Sequence, residues 1–124
     1  MRKMLKTRPR SPLLEVRTWE REEGTYLVEC SGEVDIETAP RFRAALDEGL
    51  RPGTRRLVLD LRRVNFIDSV GVGHIVAVYK RLPPGARLRI CTRNQHIRLL
   101  LEIAGLNGLS SVHDELDDAL QAPA

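Results

Sequence analysis

Asp68 and Ser69 stand where residue type and position together indicate covalent chemistry. They follow a stretch of the buried-strand type that starts near Asp60, and a helix is predicted to begin at them. The first N–H groups of a helix lack partners inside it, and the helix dipole adds positive potential there. A phosphate on a serine in this position would be stabilised by the helix end. The position of Ser69 is therefore suited to covalent modification.

Other interpretations of this segment are structural or enzymatic. Asp and Ser are both preferred N-cap residues, so Asp68 or Ser69 could serve only to cap the helix. Gly71 and Gly73 lack the third glycine of a dinucleotide loop and the Gly-Lys-Ser/Thr of a nucleotide-hydrolysing loop, and could simply allow close helix–sheet packing. Ser69 also lacks a Gly-x-Ser-x-Gly context, and no histidine is placed by sequence to act as its base. The chain is predicted not to be an enzyme.

The elements that must position Ser69 can be read from the spacing of apolar residues. Residues 14–19 and 26–30 alternate as half-buried strands around a Glu-Glu-Gly turn, which predicts a hairpin. Residues 57–61 are apolar without alternation, as expected of a central strand covered on both faces. The remaining predicted elements are helices near 39–50, 69–81, 97–104 and 114–120, and strands near 87–91 and 110–112.

Repeated strand–helix units predict an α/β fold with a mixed, mostly parallel central sheet, an N-terminal hairpin and about four helices. A chain of 124 residues has room for one core, so a single domain is expected. The predicted boundaries are a basic flexible leader over residues 1–12, the domain over 13–120 and a tail over 121–124.

The basic charge of the chain is concentrated at its start. The formal net charge is +3, but the first ten residues hold five basic residues and no acidic one, so the remainder carries −2. A lone Trp19 and few other aromatics leave little for base stacking, and no nucleic acid partner is predicted. No apolar run approaches the roughly 20 residues that span a bilayer. We expect no membrane insertion and a cytoplasmic protein.

Cysteine and histidine spacing argues against a metal site. Cys30 and Cys91 fall in separate predicted strands and read as reduced core thiols. His74, His96 and His113 lie in different segments, so the sequence predicts neither a metal site nor a cofactor.

The predicted helix after Ser69 has two different sides when its residues are placed at about 100° intervals. One side carries Val72, Ile75 and Val78 and should face the core. The other side begins at Ser69 and contains small residues that would let a partner's backbone approach closely. We call this side the docking face; it comprises Ser69, Val70, Gly73, His74, Ala77, Lys80 and Arg81.

Several short motifs occur in an order that resembles one known family. They are Gly32-Glu33-Val34-Asp35-Ile36 followed by Ala39-Pro40, then Leu57-Val58-Leu59-Asp60-Leu61, then Asp68-Ser69 with Gly71 and Gly73. Over roughly residues 13–120, this series resembles the STAS domain (sulphate transporter and anti-sigma factor antagonist), in particular the small free-standing anti-anti-sigma factors of bacteria.

The resemblance implies a regulated binding function. In that family, the serine matching Ser69 is phosphorylated by a partner that is both an anti-sigma factor and a serine kinase, with ATP bound by the partner. Only the unphosphorylated form binds this partner and frees the sigma factor, and a serine phosphatase resets the site. The alternative is a constitutive STAS scaffold or an accessory subunit of a lipid-transport or stress-sensing complex.

The resemblance also extends the candidate partner surface beyond the helix. Asp35 matches a family position near the partner, although it could be an ordinary turn carboxylate. Val70 stands where many relatives carry a second Ser or Thr, which leaves Ser69 without an alternative acceptor. The predicted partner-binding residues are Asp35, Asp68, Val70, Gly71, Gly73, His74 and Ala77.

Overall fold

The structure of the chain is a computed structural model that describes residues 3–7, 13–106 and 111–121. Within these ranges, six strands form one sheet in the order β1-β2-β3-β4-β5-β6. The strands are β1 (Lys3–Thr7), β2 (Leu14–Glu22), β3 (Thr25–Val34), β4 (Arg56–Ile67), β5 (Arg87–Cys91) and β6 (Ser111–His113). The helices are α1 (Ala39–Glu48), α2 (Ser69–Lys80), α3 (Gln95–Ile103) and α4 (Leu116–Gln121). None of these helices is long and apolar enough to cross a bilayer.

The strand pairing confirms the predicted α/β fold with a mixed sheet. β2 and β3 form the predicted antiparallel hairpin around Gly24, whose φ of 82° suits a glycine turn. β3, β4, β5 and β6 then pair in parallel, as expected when helices connect successive strands. The central strand at residues 57–61 is buried throughout, as predicted.

The first strand corrects part of the prediction for the leader. Residues 3–7 pair antiparallel with β2 instead of forming a flexible segment. The physical reason is the edge of β2, whose backbone N–H and C=O groups would otherwise face solvent without sheet partners. Of the tail predicted over residues 121–124, Gln121 is the last residue of α4. Residues 122–124, like residues 8–12 of the leader, lie outside the described residues.

The main core lies on one face of the sheet, beneath α1, α2 and α3. Each of these helices contributes a fully buried side chain: Phe42, Ile75 and Ile97, respectively. Ala39, Phe42 and Leu46 of α1 recur at helical spacing and are buried, and Leu50, just after the helix, is partly buried against the same core. The helix begins after Thr38 with Pro40 in its first turn. This core positions α2, and with it Ser69, against the centre of the sheet.

A second, smaller apolar cluster lies on the other face, beneath α4. Its buried members are Leu27, Val58, Cys91 and Ala119, with Trp19, Leu116 and Leu120 packed around them. Both cysteines are free and buried, as predicted, but in different clusters: Cys30 belongs to the main core. Burial raises the pKa of both thiols, that of Cys91 to about 11, so neither is a thiolate at neutral pH.

Candidate phosphorylation site and docking surface

Ser69 lies at the carboxyl end of the two central strands. β4 carries the chain to Asp68, whose N–H donates to the carbonyl oxygen of Val34 at 3.0 Å. This bond continues the β3–β4 ladder by one step and fixes where the chain turns into α2. The carboxyl ends of parallel strands are where open α/β sheets commonly carry binding sites. The ends of the two central strands therefore hold the start of α2 in place.

The N-cap of α2 is Asp68, and this separates the roles of the two adjacent residues. Asp68 has an extended backbone, with φ −100° and ψ −177°, and its Oδ1 accepts from the Gly71 N–H at 3.1 Å. Ser69 is the first helical residue and is exposed. Since Asp68 caps the helix, the Ser69 hydroxyl is not required as the cap. The alternative in which Ser69 serves only to cap is therefore wrong.

The docking face has the exposure that the helical spacing predicts. Val72, Ile75 and Val78 are buried against the core. On the opposite side, Val70 is 39% exposed, Gly73 and Ala77 are also exposed, and His74 is half-buried. A Cβ placed on Gly73 would meet nothing within 4 Å, so this side of α2 is an open surface.

Gly71 is not part of this open surface, and a direct contact between Gly71 and a partner stays a prediction. It is buried at the junction between α2 and the strands. A Cβ at this position would lie 2.7 Å from Cγ1 of Ile67 and 2.7 Å from Cγ1 of Val34. The absence of a side chain lets the first turn of α2 approach the ends of β3 and β4, which is the packing role considered above.

The two glycines of α2 should respond in opposite ways to the same substitution. We expect Gly71→Ala to lower the free energy of unfolding by about 1–3 kcal/mol, because the added methyl overpacks a filled junction. Gly73→Ala should raise it by about 0.5–1 kcal/mol, because alanine has the higher helix propensity and meets open space. Urea unfolding of both variants is the measurement. Equal changes would show that Gly71 is not a packing position.

Asp35 shapes the loop that connects β3 to α1. Its Oδ1 accepts from the N–H groups of Glu37 at 2.9 Å and Thr38 at 3.0 Å, and its own N–H donates to Thr38 Oγ1 at 2.9 Å. These bonds are those of a turn-forming aspartate. A direct contact between Asp35 and a partner stays a prediction. The turn's effect on the surface is to hold Ile36 in solvent.

Two exposed apolar residues near Ser69 were missed by sequence reasoning. Ile36 is 73% exposed in the loop after β3, and Phe66 is 41% exposed near the end of β4. The β3–β4 register shifts twice, so that Glu33 pairs with Phe66 after Gly32 pairs with Val64. Bulges of this kind turn a side chain away from the face that simple alternation predicts. The exposure of Ile36 could have been suspected from its position among the polar residues of the loop at 35–38.

Three exposed apolar residues lie at the same end of the sheet as Ser69. Ile36, Phe66 and Val70 all lie at the carboxyl end of β3 and β4, in segments held together by the Asp68–Val34 hydrogen bond. We call them the apolar triad. Scattered single apolar residues are normal on surfaces, but three at the end of the sheet that carries an exposed serine favour a contact surface for another protein at this end.

The chain matches the family model of the STAS domain over residues 17–119. An anti-sigma F factor antagonist from Paenibacillus polymyxa is 32% identical over 103 residues, which cover 82% of this chain and 88% of that protein. An anti-sigma-B factor antagonist from Staphylococcus aureus is 33% identical over 90 residues, which cover 72% and 83%, respectively. The crystal structure of an anti-sigma factor antagonist from Mycobacterium paratuberculosis is similar, with a TM-score of 0.81, 30% identity and coverage of 90% of this chain and 96% of that one.

Proposed function

This chain belongs to the STAS domain family, as its motifs predict, and we propose that it is an anti-sigma factor antagonist switched by phosphorylation of Ser69. In its unphosphorylated form it binds an anti-sigma factor that is also a serine kinase, and the sigma factor is released. The kinase binds the ATP that it uses to phosphorylate Ser69. A serine phosphatase removes the phosphate and so restores the form that binds the anti-sigma factor. The protein acts in the cytoplasm as a binding regulator. The names of the relatives from P. polymyxa and S. aureus support this function.

The observation that carries the proposal is that Ser69 is exposed at the same end of the sheet as the apolar triad. A kinase must reach the hydroxyl, and Ser69 is exposed at the first position of α2. An antagonist must also present a surface on which the anti-sigma factor can pack, and the triad with the docking face supplies it. Since acceptor and contact surface coincide, one modification can control binding.

The chemistry of phosphoserine supports a switch that acts on the complex more than on the fold. A phosphate brings about −1.5 to −2 charges at neutral pH, and burying these charges beside apolar side chains in an interface is costly. In the free domain, the phosphate stays in water at the positive end of α2. Asp68 already accepts from the Gly71 N–H, so the cap survives modification.

Ser69→Ala tests the assignment of the acceptor. Alanine removes the hydroxyl but keeps a small residue at an exposed position that does not cap the helix. We expect the variant to take up no phosphate from the cognate kinase and still to bind it, because the apolar triad and the other residues of the docking face are unchanged. Intact mass after incubation with kinase and ATP measures the first result, and titration calorimetry the second.

A matched control uses another serine of the same chain. Ser31 lies within β3 and is partly buried, so Ser31→Ala should leave phosphate uptake at the level of the unaltered protein. Undiminished uptake by the Ser69 variant would disprove the acceptor assignment. Binding without any phosphate uptake by the unaltered protein would favour the constitutive scaffold instead.

A further inference from the structure

The second face of the sheet is covered by a helix that is too short to be stable alone. α4 has six residues, whereas isolated helices below roughly 12 residues are marginal in water. It packs on β4, β5 and β6 through the smaller apolar cluster, which is separate from the main core. Its stability therefore depends on contacts made by its side chains and by the residues that lead into it.

The residues that lead into α4 are held by exposed arginine contacts. Arg93 donates to the carbonyl oxygen of Asp114 at 3.2 Å and to Glu115 Oε1 at 2.5 Å. Arg98 pairs with the carboxylate of Asp114. The side chains of Arg93 and Glu115 are 58% and 57% exposed, so salt screens their attraction.

The same segment carries a concentrated negative charge. Asp114, Glu115, Asp117 and Asp118 lie within five consecutive positions, and like charges this close repel one another unless cations offset them. At the far end of α4, Arg56 Nη1 donates to the carbonyl oxygen of Leu120 at 2.6 Å. We call residues 114–121 the acidic clasp, since an acidic segment is held on the sheet by arginines from β4 and from the β5–α3 region.

From these contacts, we infer that the acidic clasp opens as a unit while the rest of the domain stays folded, and that its opening uncovers an apolar strip on the second face of the sheet. Local units with few buried contacts and exposed polar ties open at lower free energy than the whole domain. The strip lies on the face opposite to α2, so it is a surface distinct from the docking face. Its residues are Trp19, Leu27, Val58 and Cys91.

The two cysteines allow this opening to be measured directly. Cys91 is 0% exposed beneath the clasp, and Cys30 is 4% exposed in the main core. Native protein is incubated with iodoacetamide, and labelling at each thiol is followed by peptide mass spectrometry. Local opening exposes Cys91 alone, so Cys91 should react at least about tenfold faster than Cys30. Raising sodium chloride from 0.05 M to 0.5 M should accelerate only the reaction of Cys91.

Variants separate the arginine ties from general destabilisation. Arg93→Gln combined with Arg98→Gln should raise the labelling rate of Cys91 about fivefold at low salt and remove most of its salt dependence. The matched control is Arg81→Gln, which removes an exposed 2.9 Å ion pair to Asp47 between α2 and α1. This control should leave the rate at Cys91 unchanged.

Three results would overturn the inference. Equal rates at Cys30 and Cys91 would mean that only global unfolding exposes either thiol. An equal increase at both thiols in the Arg93/Arg98 variant would mean that the arginines stabilise the whole domain. Absence of Cys91 labelling, over a time in which the denatured protein reacts fully, would mean that the clasp does not open.

Discussion

Phosphorylation of Ser69 is expected to weaken binding of the kinase partner by roughly a hundredfold or more. Two unit charges 4 Å apart interact by about 1 kcal/mol in water and ~4 kcal/mol where the site is partly desolvated. The phosphate would lie beside Asp68 and at the same end of the sheet as the apolar triad, so a partner that packs there faces both repulsion and the cost of burying charge. A loss of ~3 kcal/mol corresponds to about two orders of magnitude in affinity.

Titration calorimetry of the phosphorylated and unphosphorylated proteins against the same partner measures this difference. Thermal unfolding of the two free proteins is the control, and it should differ far less than the affinities do. Ser69→Ala protein that has been incubated with kinase and ATP should keep the affinity of the unphosphorylated form. Equal affinities for the two forms would leave the constitutive scaffold as the better interpretation.

Gly73→Arg is expected to abolish partner binding while the isolated domain stays folded. Gly73 lies on the docking face one turn after Ser69, and nothing lies within 4 Å of a Cβ placed there. A long charged side chain at the centre of a closely packed interface would hold the two surfaces apart, whereas in the free protein it extends into water. Pull-down or calorimetry with the partner measures binding, and the cooperative melting transition reports folding.

Ile103→Arg provides a matched control on another helix. Ile103 is 74% exposed on α3, so the substitution also places an arginine on an exposed helical surface, but outside the docking face. We expect this control to bind normally. Loss of binding in both variants would show that added charge, and not position, is responsible. Loss of the melting transition in Gly73→Arg alone would mean that the docking face is not an open surface.

Most strands and helices could be predicted because their apolar residues recur at the spacing of a strand or a helix. β2 alternates at its start as predicted, and the buried residues of α1 recur at helical spacing. The half-buried alternation predicted for residues 26–30 is wrong, because β3 pairs with strands on both sides and residues 25–28 are buried throughout. The end of β4 was less predictable, because two register shifts against β3 break the alternation over residues 62–67. β1 was missed because it is only five residues long and two of them are lysines. Its pairing with β2 also depends on a neighbour that a local pattern does not reveal.

The exposure of residues on α2 could be predicted from the sequence, but the exposed apolar residues outside this helix could not. Helical spacing separates the exposed residues of α2 from the buried ones, and so identified the docking face. Residue type does not distinguish Gly71 from Gly73, because both are glycine. Only the close approach of Ile67 and Val34 shows that Gly71 lies at the junction between α2 and the strands. Ile36 and Phe66 were missed because apolar residues are expected to be buried, and their exposure depends on a loop and a bulge.

The filled junction at Gly71 has a consequence for how this protein could carry a signal. Close packing at Gly71 opposes a shift of the first turn of α2 toward the ends of β3 and β4. Phosphorylation of Ser69 would therefore change the charge at the start of α2 without changing the conformation of the domain. Parts of the domain far from Ser69 would not be affected. Only a partner that contacts Ser69 directly could then distinguish the two forms. The lifetime of the phosphorylated form would be set by the kinase and the phosphatase. No slow conformational step would delay the response of the partner.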